Sequence, residues 1–325
     1  MSAAPSPAGF VRRPVRHLEA PVGMAARLHA LRYTLARRAV QLAILVLFYG
    51  TLHGGWSLLG APLLAGNLSA SEIAGVVPMA DPFAVLQMLV ARHWLAAEVL
   101  AGAAVTLALY LLAGGRSFCA WVCPMNIVTD TAAWLRGKLG LGAAADLLHL
   151  PAGTRYGVLA LALLLSAITG VAAFEWFSPI AMLHRELLYG AGLGLTGAAG
   201  ILLLDTFAQR RGWCGHLCPL GAFWALVGRV PQPAQVRVAL DDTTCSRCGD
   251  CIKVCPEPRV LHLPQVATSG GVLGGECTNC GRCIAACPES SLRFALRGRL
   301  VPATVAGAAG SAAADLAASS SGASR

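Results

Sequence analysis

Charge is scarce in this chain. Only 13% of its 325 residues are Asp, Glu, Lys or Arg, against 56% that are hydrophobic, and the mean hydropathy is +0.63. So little charge excludes an ordinary soluble globule of this size and implies a protein held largely in a membrane. A basic patch with interleaved aromatics is also missing, so the net charge of +9 does not point to nucleic acid; the arginines lie around the apolar stretches instead.

Four stretches have the roughly 20 apolar residues that a hydrocarbon core of about 30 Å requires. They run near Ala39–Gly60, Trp94–Ala113, Tyr156–Phe174 and Leu187–Phe207. Seven basic residues precede the first (Arg12, Arg13, Arg16, Arg27, Arg32, Arg37, Arg38), four separate the second from the third, and twelve follow the fourth. The first and third connections hold one each, Arg92 and Arg185. By the positive-inside rule both termini and the middle loop are cytoplasmic, which predicts a multi-pass protein of the bacterial inner membrane. The Arg12-Arg13 pair stands about 25 residues before an apolar run of full bilayer width, which predicts a retained signal-anchor rather than a cleaved export signal.

Twelve cysteines fall in four groups. Two groups read Cys-x2-Cys-x2-Cys-x3-Cys-Pro, at Cys245, Cys248, Cys251, Cys255 and at Cys277, Cys280, Cys283, Cys287, each position of the second lying 32 residues after the first. This is the spacing of bacterial two-cluster ferredoxins, in which the last cysteine of each run serves the other cluster. The expected ligand sets are therefore Cys245, Cys248, Cys251 and Cys287 for one [4Fe–4S] cluster, and Cys277, Cys280, Cys283 and Cys255 for the second. A pair of zinc sites is the alternative, disfavoured because zinc uses two separated Cys-x2-Cys knuckles. On the cytoplasmic side thiols stay reduced, which favours metal ligation or redox chemistry over structural disulfides.

The other two groups are Cys-x3-Cys-Pro pairs, Cys119 with Cys123 and Cys214 with Cys218, 95 residues apart at both positions. Each follows two apolar stretches, so the membrane part is a duplicated plan. Their readings are a third metal site shared by the four, a redox-active thiol relay, a contact with a partner, or small buried cysteines; His216 could add a nitrogen ligand. Polar residues near the non-cytoplasmic ends, His53, Asp81, His93, Glu98, Glu175 and His184, are candidates to take a proton from a quinol hydroxyl, each equally able to be a solvated loop residue. Trp56, Trp94 and Trp176 sit where interfacial anchors belong.

The expected fold is an α-helical membrane protein with four transmembrane helices in two hairpins, followed by a small α+β two-cluster ferredoxin-like domain. Residues 1–38 form a basic tail, 39–230 the membrane domain with its two Cys-x3-Cys-Pro turns, 231–300 the cluster domain and 301–325 a disordered Ala/Ser tail. Leu220 to Val230 is expected as a short amphipathic cytoplasmic helix, and Val260 to Leu273 as small strands and turns. Gly190 and Gly194 make a G-x3-G in the fourth stretch, a weak sign of close helix packing.

The signatures Phe118-Cys-Ala-Trp-Val-Cys-Pro-Met-Asn126 and Trp213-Cys-Gly-His-Leu-Cys-Pro-Leu-Gly221, with Gly66-Asn67, Val77-Pro78-Met-Ala-Asp81-Pro82 and Cys255-Pro-Glu-Pro258, together resemble the NapH family over roughly residues 30 to 298. Those proteins are ferredoxin-type quinol dehydrogenase membrane components of periplasmic nitrate reductase systems. The resemblance implies two [4Fe–4S] clusters, ubiquinol or menaquinol as electron donor, and as partners a periplasmic iron–sulfur subunit of the NapG kind and a membrane-anchored tetrahaem cytochrome c of the NapC kind. Related membrane ferredoxin-type proteins share the Cys-x3-Cys-Pro pairs, among them MauN, NosR and an oxidase-assembly protein. The expectation of no large periplasmic flavin-binding domain argues against NosR. A maturation factor or a membrane anchor for a redox complex remains the alternative function.

Overall fold

The computed structural model describes residues 23–301 apart from 59, 142–145 and 191–192. The tails expected at 1–38 and 301–325 therefore lie mostly outside the described residues.

The first apolar stretch belongs to a helix, α1 (Met24–Gly54), that begins well before Ala39. Hydropathy alone misses this because the added turns carry Arg32, Arg37 and Arg38, and arginine is a good helix former. Arg37 and Gln41 are both 1% exposed on the inner face, whereas Leu42, Val46 and Leu52 stay exposed on the outer one. The chain then makes a hairpin of β1 (Ser57–Leu58) and β2 (Ala61–Pro62) and an antiparallel meander of β3 (Leu64–Gly66), β4 (Ala70–Ile73) and β5 (Val77–Ala80). Helix α2 (Pro82–Val90) follows, its first turn capped by Asp81, whose carboxylate accepts from the Phe83 amide at 3.0 Å.

The other three apolar stretches are shorter helices than expected. They are α3 (Ala97–Ala113), α6 (Thr154–Thr169), which comes after α4 (Ser117–Trp121) and α5 (Met125–Lys138), and α9 (Gly194–Leu203), which comes after α7 (Ala173–Phe177) and α8 (Pro179–Tyr189). A π-helical turn, Leu204–Ala208, extends α9. Among the described residues only Leu28–Gly54 is long and apolar enough to cross a membrane on its own; the others are apolar but of 10–17 residues. Left-handed glycine caps cut them: Gly114 ends α3, Gly170 ends α6 and Gly190 ends α8. The expected G-x3-G is thus split between a helix cap and the first residue of α9. Gly194 nonetheless permits a close approach, since a Cβ there would lie 2.5 Å from the Met182 carbonyl oxygen on α8.

Around a core of Phe83, Met125, Leu159, Ile180, Ile201, Leu220 and Trp224, these helices bury one face and leave leucines on the other. Leu109 and Leu112 on α3, Leu161, Leu164 and Ile168 on α6, and Leu195 and Leu203 on α9 are all exposed. An outer surface this apolar is suited to lipid. Helix α10 (Pro219–Arg229) forms where expected but is not a surface helix, because Trp224, 1% exposed, stacks among Tyr110, Phe118 and Phe223.

Residues 236–299 form the α+β unit. Strands β6 (Val236–Leu240) and β7 (Leu292–Leu296) pair antiparallel with Val236 opposite Leu296 and Leu240 opposite Leu292. Between them lie α11 (Asp250–Val254), α12 (Leu263–Ser269) and α13 (Arg282–Ala285). Helix α12 corrects the strands expected over Val260 to Leu273. Pro264 at its start and Gly270 in a left-handed cap at its end, read there as turn residues, serve as helix boundary residues, and Leu263, Val266 and Ala267 bury its inner face.

Candidate iron–sulfur centres

The two long cysteine runs adopt the same backbone path. Arg247 and Gly249 in the first run, and Asn279 and Gly281 in the second, all have positive φ, so each loop turns twice through left-handed geometry before a one-turn helix, α11 or α13. The turns direct backbone N–H groups at sulfur: the Arg247 amide toward Cys245 and the Asn279 amide toward Cys277.

Sequence-distant thiols meet in two crossed groups. Cys251 feels Cys245, Cys248 and Cys287, while Cys255, Cys277, Cys280 and Cys283 line a single cavity closed by Val238, Val260, Leu261 and Val272. Burial in that apolar surround pushes the Cys255 thiol up to about 12 and Cys277 to about 11. Free thiols here would be neutral; four-iron cores bound as thiolates are what this donor set accommodates. Among the described residues no three Cys, His, Asp or Glu side chains are grouped so as to hold a single metal ion. Four cysteines around a cavity match a cluster, whose ligands stand apart on a core, better than they match zinc.

The Cys-x3-Cys-Pro pairs converge as well. Cys119 sits in α4 and Cys214 in a π-helical turn, Trp213–Leu217; Cys218 follows its turn directly and Cys123 follows α4 after Val122, and the Cys218 sulfur caps α10 by accepting from the Gly221 amide at 3.4 Å. All four bear on one another electrostatically. Cys123 and Cys218 belong to the helical core, while Cys119 and Cys214 line a second cavity together with Cys280 of the cluster domain. His216 does not line that cavity; its Nδ1 donates to the Arg211 carbonyl at 3.3 Å, a structural contact.

A buried ionic lock holds the two parts together. Asp130 on α5 accepts from Arg38 and Arg282, and from Arg211 at 2.9 Å, with Arg37 at 3.8 Å. Burial alone raises its carboxyl, but Arg282 and Arg211 outweigh that and hold it below the ordinary carboxylate range. Glu257, in the turn after Cys255, pairs with Arg116 at 2.9 Å and Arg155 at 3.2 Å, and Glu276 pairs with Arg155 at 2.8 Å and accepts from the Tyr156 hydroxyl at 2.9 Å. The Trp121 indole, between the first pair of cysteines, donates to the Asn279 carbonyl at 3.0 Å. Tyr33 covers Gly281, where a Cβ would lie 2.5 Å from the ring. Sequence reading weighed these arginines only as topology signals; pairing across more than 80 residues leaves no local pattern, although Glu257 does stand inside a quoted motif.

Of the polar candidates at the other end, the structure brings together only Asp81 and Glu175. Burial and the Glu175 charge push the Asp81 carboxyl up to about 7, and Glu175 accepts from Ser69 at 2.9 Å. His53 contacts the Leu188 carbonyl at 2.8 Å, His93 the Gly170 carbonyl at 2.6 Å, and Glu98 is exposed. His184 is buried against Phe48, with neither ring nitrogen hydrogen-bonded. Trp94 and Trp176 are largely exposed and Trp56 partly so.

Comparison with known proteins agrees with this division. A 4Fe-4S binding domain family matches residues 95–142 and 191–236, and a 4Fe-4S dicluster domain family matches 237–288. The methylamine utilization ferredoxin-type protein MauN of Methylorubrum extorquens is 44% identical over 285 residues, 86% of this chain and 95% of that protein. The ferredoxin-type protein NapH of Escherichia coli is 40% identical over 233 residues, 72% of this chain and 78% of NapH, and that of Haemophilus influenzae is 40% identical over 238. No solved structure matches.

Proposed function

Because the chain belongs to the family of ferredoxin-type iron–sulfur proteins that includes MauN and NapH, we propose that it is a membrane-embedded electron-transfer component that takes electrons from quinol and supplies a partner reductase of the periplasmic nitrate reductase pathway. Cys245, Cys248, Cys251 and Cys287 hold one [4Fe–4S] cluster, and Cys255, Cys277, Cys280 and Cys283 the other. When bound, the clusters carry one electron each; the chain's own residues fix their spacing, exclude water and supply amide hydrogen bonds that set their potentials.

The observation that carries this reading is the seating of the cluster domain on one end of the apolar bundle. Arg37, near the middle of α1 and just before its apolar stretch, the Ala113 carbonyl at the end of α3, and Arg155 with Tyr156 at the start of α6 all contact it or its ionic lock. These are the ends of the apolar stretches that arginine distribution assigns to the cytoplasm, in the alternation four membrane passes require. At the other end Asp81, beside Glu175, is the group best tuned to accept a quinol proton near neutral pH. NapG-like and NapC-like subunits are the partners this reading calls for.

A second reading has its own support, since the MauN match is longer than the NapH match. In it the same clusters deliver electrons to the maturation of a client redox enzyme. Deletion of the gene separates the two. The nitrate reading expects quinol-driven nitrate reduction by intact cells to fall at least tenfold, with recovery on complementation; unchanged nitrate reduction alongside a cofactor-deficient amine-oxidising enzyme would replace it with the maturation reading.

A further inference from the structure

We infer that this protein carries a binding site for the phosphate headgroup of an anionic phospholipid, in a cationic cavity at the seam between the helical bundle and the cluster domain. The inference takes its membrane setting from the proposed function but needs no quinol chemistry.

A cavity of about 450 Å³ opens where α1, α5, the turn before the second cysteine pair, α11 and α13 meet. Four of its lining side chains are cations, Arg210, Arg211, Lys253 and Arg282, and among the described residues no carboxylate lines it. Alanines from α1, α5 and α13 make up much of the remaining wall, which leaves the cations room to close on a ligand.

The acids that stand nearby are already shared. Asp130 accepts from Arg211 at 2.9 Å and from Arg282, but also from Arg38 with Arg37 beside it, so four guanidiniums divide one carboxylate. Asp146 takes Arg136 at 2.6 Å and meets Arg210 only through its backbone amide, at 3.1 Å. Asp250 pairs with Lys253 at 2.7 Å, but this is a solvent-exposed contact within one short helix. Partial burial, and then the charges of Arg211 and Arg136, push the Arg210 guanidinium below its usual range, which is the mark of a site short of negative charge. A phosphodiester supplies that charge, and its oxygens suit the planar donor fork of arginine.

Depth in the membrane selects the source of the phosphate. Helix α1 ends at Gly54, and roughly 20 residues cross a hydrocarbon core of about 30 Å, so its cytoplasmic edge falls near Leu35. Ala30, Tyr33 and Thr34, which line the cavity, then lie within about 8 Å of that edge, at the level of the headgroups. Leu28, Leu31 and Leu35 stay exposed on α1, and Trp134, next to the lining Ala133, is 63% exposed on α5. Basic cavities flanked by apolar side chains at this level fit a headgroup with its acyl chains alongside. A free phosphate or an acidic peptide would satisfy the cations and leave the leucines and the tryptophan bare.

A headgroup seated here touches both parts of the protein at once. It adds an anion to Arg211 and Arg282, which otherwise depend on Asp130, and so strengthens the docking of the cluster domain.

The test titrates full-length protein, in neutral detergent and without oxygen, with dioctanoyl phosphatidylglycerol. Native mass spectrometry counts bound lipid, and cluster absorbance follows the unfolding midpoint of the cluster domain. No quinol is present, and recovery of the protein with alkali-washed membranes is checked first, so failure of the electron-transfer or membrane reading is seen separately. Wild type should bind one phosphatidylglycerol per chain, saturably and more weakly at high salt, with a raised midpoint. Arg210→Gln combined with Lys253→Gln removes two exposed cations outside the Asp130 lock and should weaken binding at least about tenfold with the clusters intact. Arg293→Gln, an exposed arginine on β7, should bind as wild type does. Equal competition by inorganic phosphate would make this a free-anion site, and equal competition by poly-glutamate an acidic-peptide site. Either result overturns the assignment, as would equal binding of dioctanoyl phosphatidylcholine or undiminished binding by the double variant; binding that leaves the midpoint unmoved would overturn the docking role.

Discussion

Asp130→Asn will loosen the cluster domain from the bundle and cost about 3–5 kcal/mol, the range for removing one partner of a buried ionic contact. Among the described residues Asp130 is the single carboxylate paired with Arg38, Arg211 and Arg282, with Arg37 beside them, and these arginines come from α1, from the turn before the second cysteine pair and from the start of α13. Asparagine keeps the shape and removes the charge, so the arginines repel one another in a site with little water. Thermal unfolding should show the cluster-domain transition separating from that of the bundle and moving down by several degrees. The pH dependence of the wild type follows from the same contacts. A carboxylate held below its ordinary value of 3.8 contributes stability that is complete above that value and lost as pH falls through the lower folded value. Docking should thus be level from pH 8 to about 5 and weaken only below about 4. An Asp130→Asn protein with wild-type unfolding would show that the lock is incidental.

Cys255→Ala will disable the cluster of the other run. The crossed arrangement leaves the second run with Cys277, Cys280 and Cys283 only, so that cubane should be lost or reduced to a three-iron form, while the cluster served by Cys245, Cys248, Cys251 and Cys287 keeps its signal. Complete loss of that cubane should remove about half of the iron of the two clusters, and conversion to a three-iron form about one iron; either way the shift should match that of Cys283→Ala rather than that of Cys251→Ala. Low-temperature electron paramagnetic resonance distinguishes the two centres. If Cys255→Ala instead resembled Cys251→Ala, each run would serve its own cluster and the crossing would be wrong.

How far the sequence could be read depended on the range of each interaction. The cluster domain was legible, because the cysteine spacing is a local pattern, and the 4Fe-4S dicluster match over 237–288 agrees with it. The apolar stretches were found, but not their ends. Arg32, Arg37 and Arg38 carry α1 through residues that hydropathy treats as a boundary, and Gly190 cuts the fourth stretch inside what looks like one run. Helix α12 was read as strands because Pro264 and Gly270 signal turns as readily as helix ends. Least legible was the junction. Asp130, Glu257 and Glu276 take their meaning from arginines far off in sequence, and only the docked fold reveals that Cys119 and Cys214 share a cavity with Cys280.

The claim that quinol electrons enter this chain is tested most directly by mixing the purified protein, oxygen-free and with its clusters oxidised, with a reduced water-soluble quinone analogue and following the visible cluster absorbance. The account predicts bleaching within seconds, in proportion to the quinol added and reversed by an oxidised quinone of higher potential. Intact clusters that dithionite bleaches and quinol leaves untouched would contradict it.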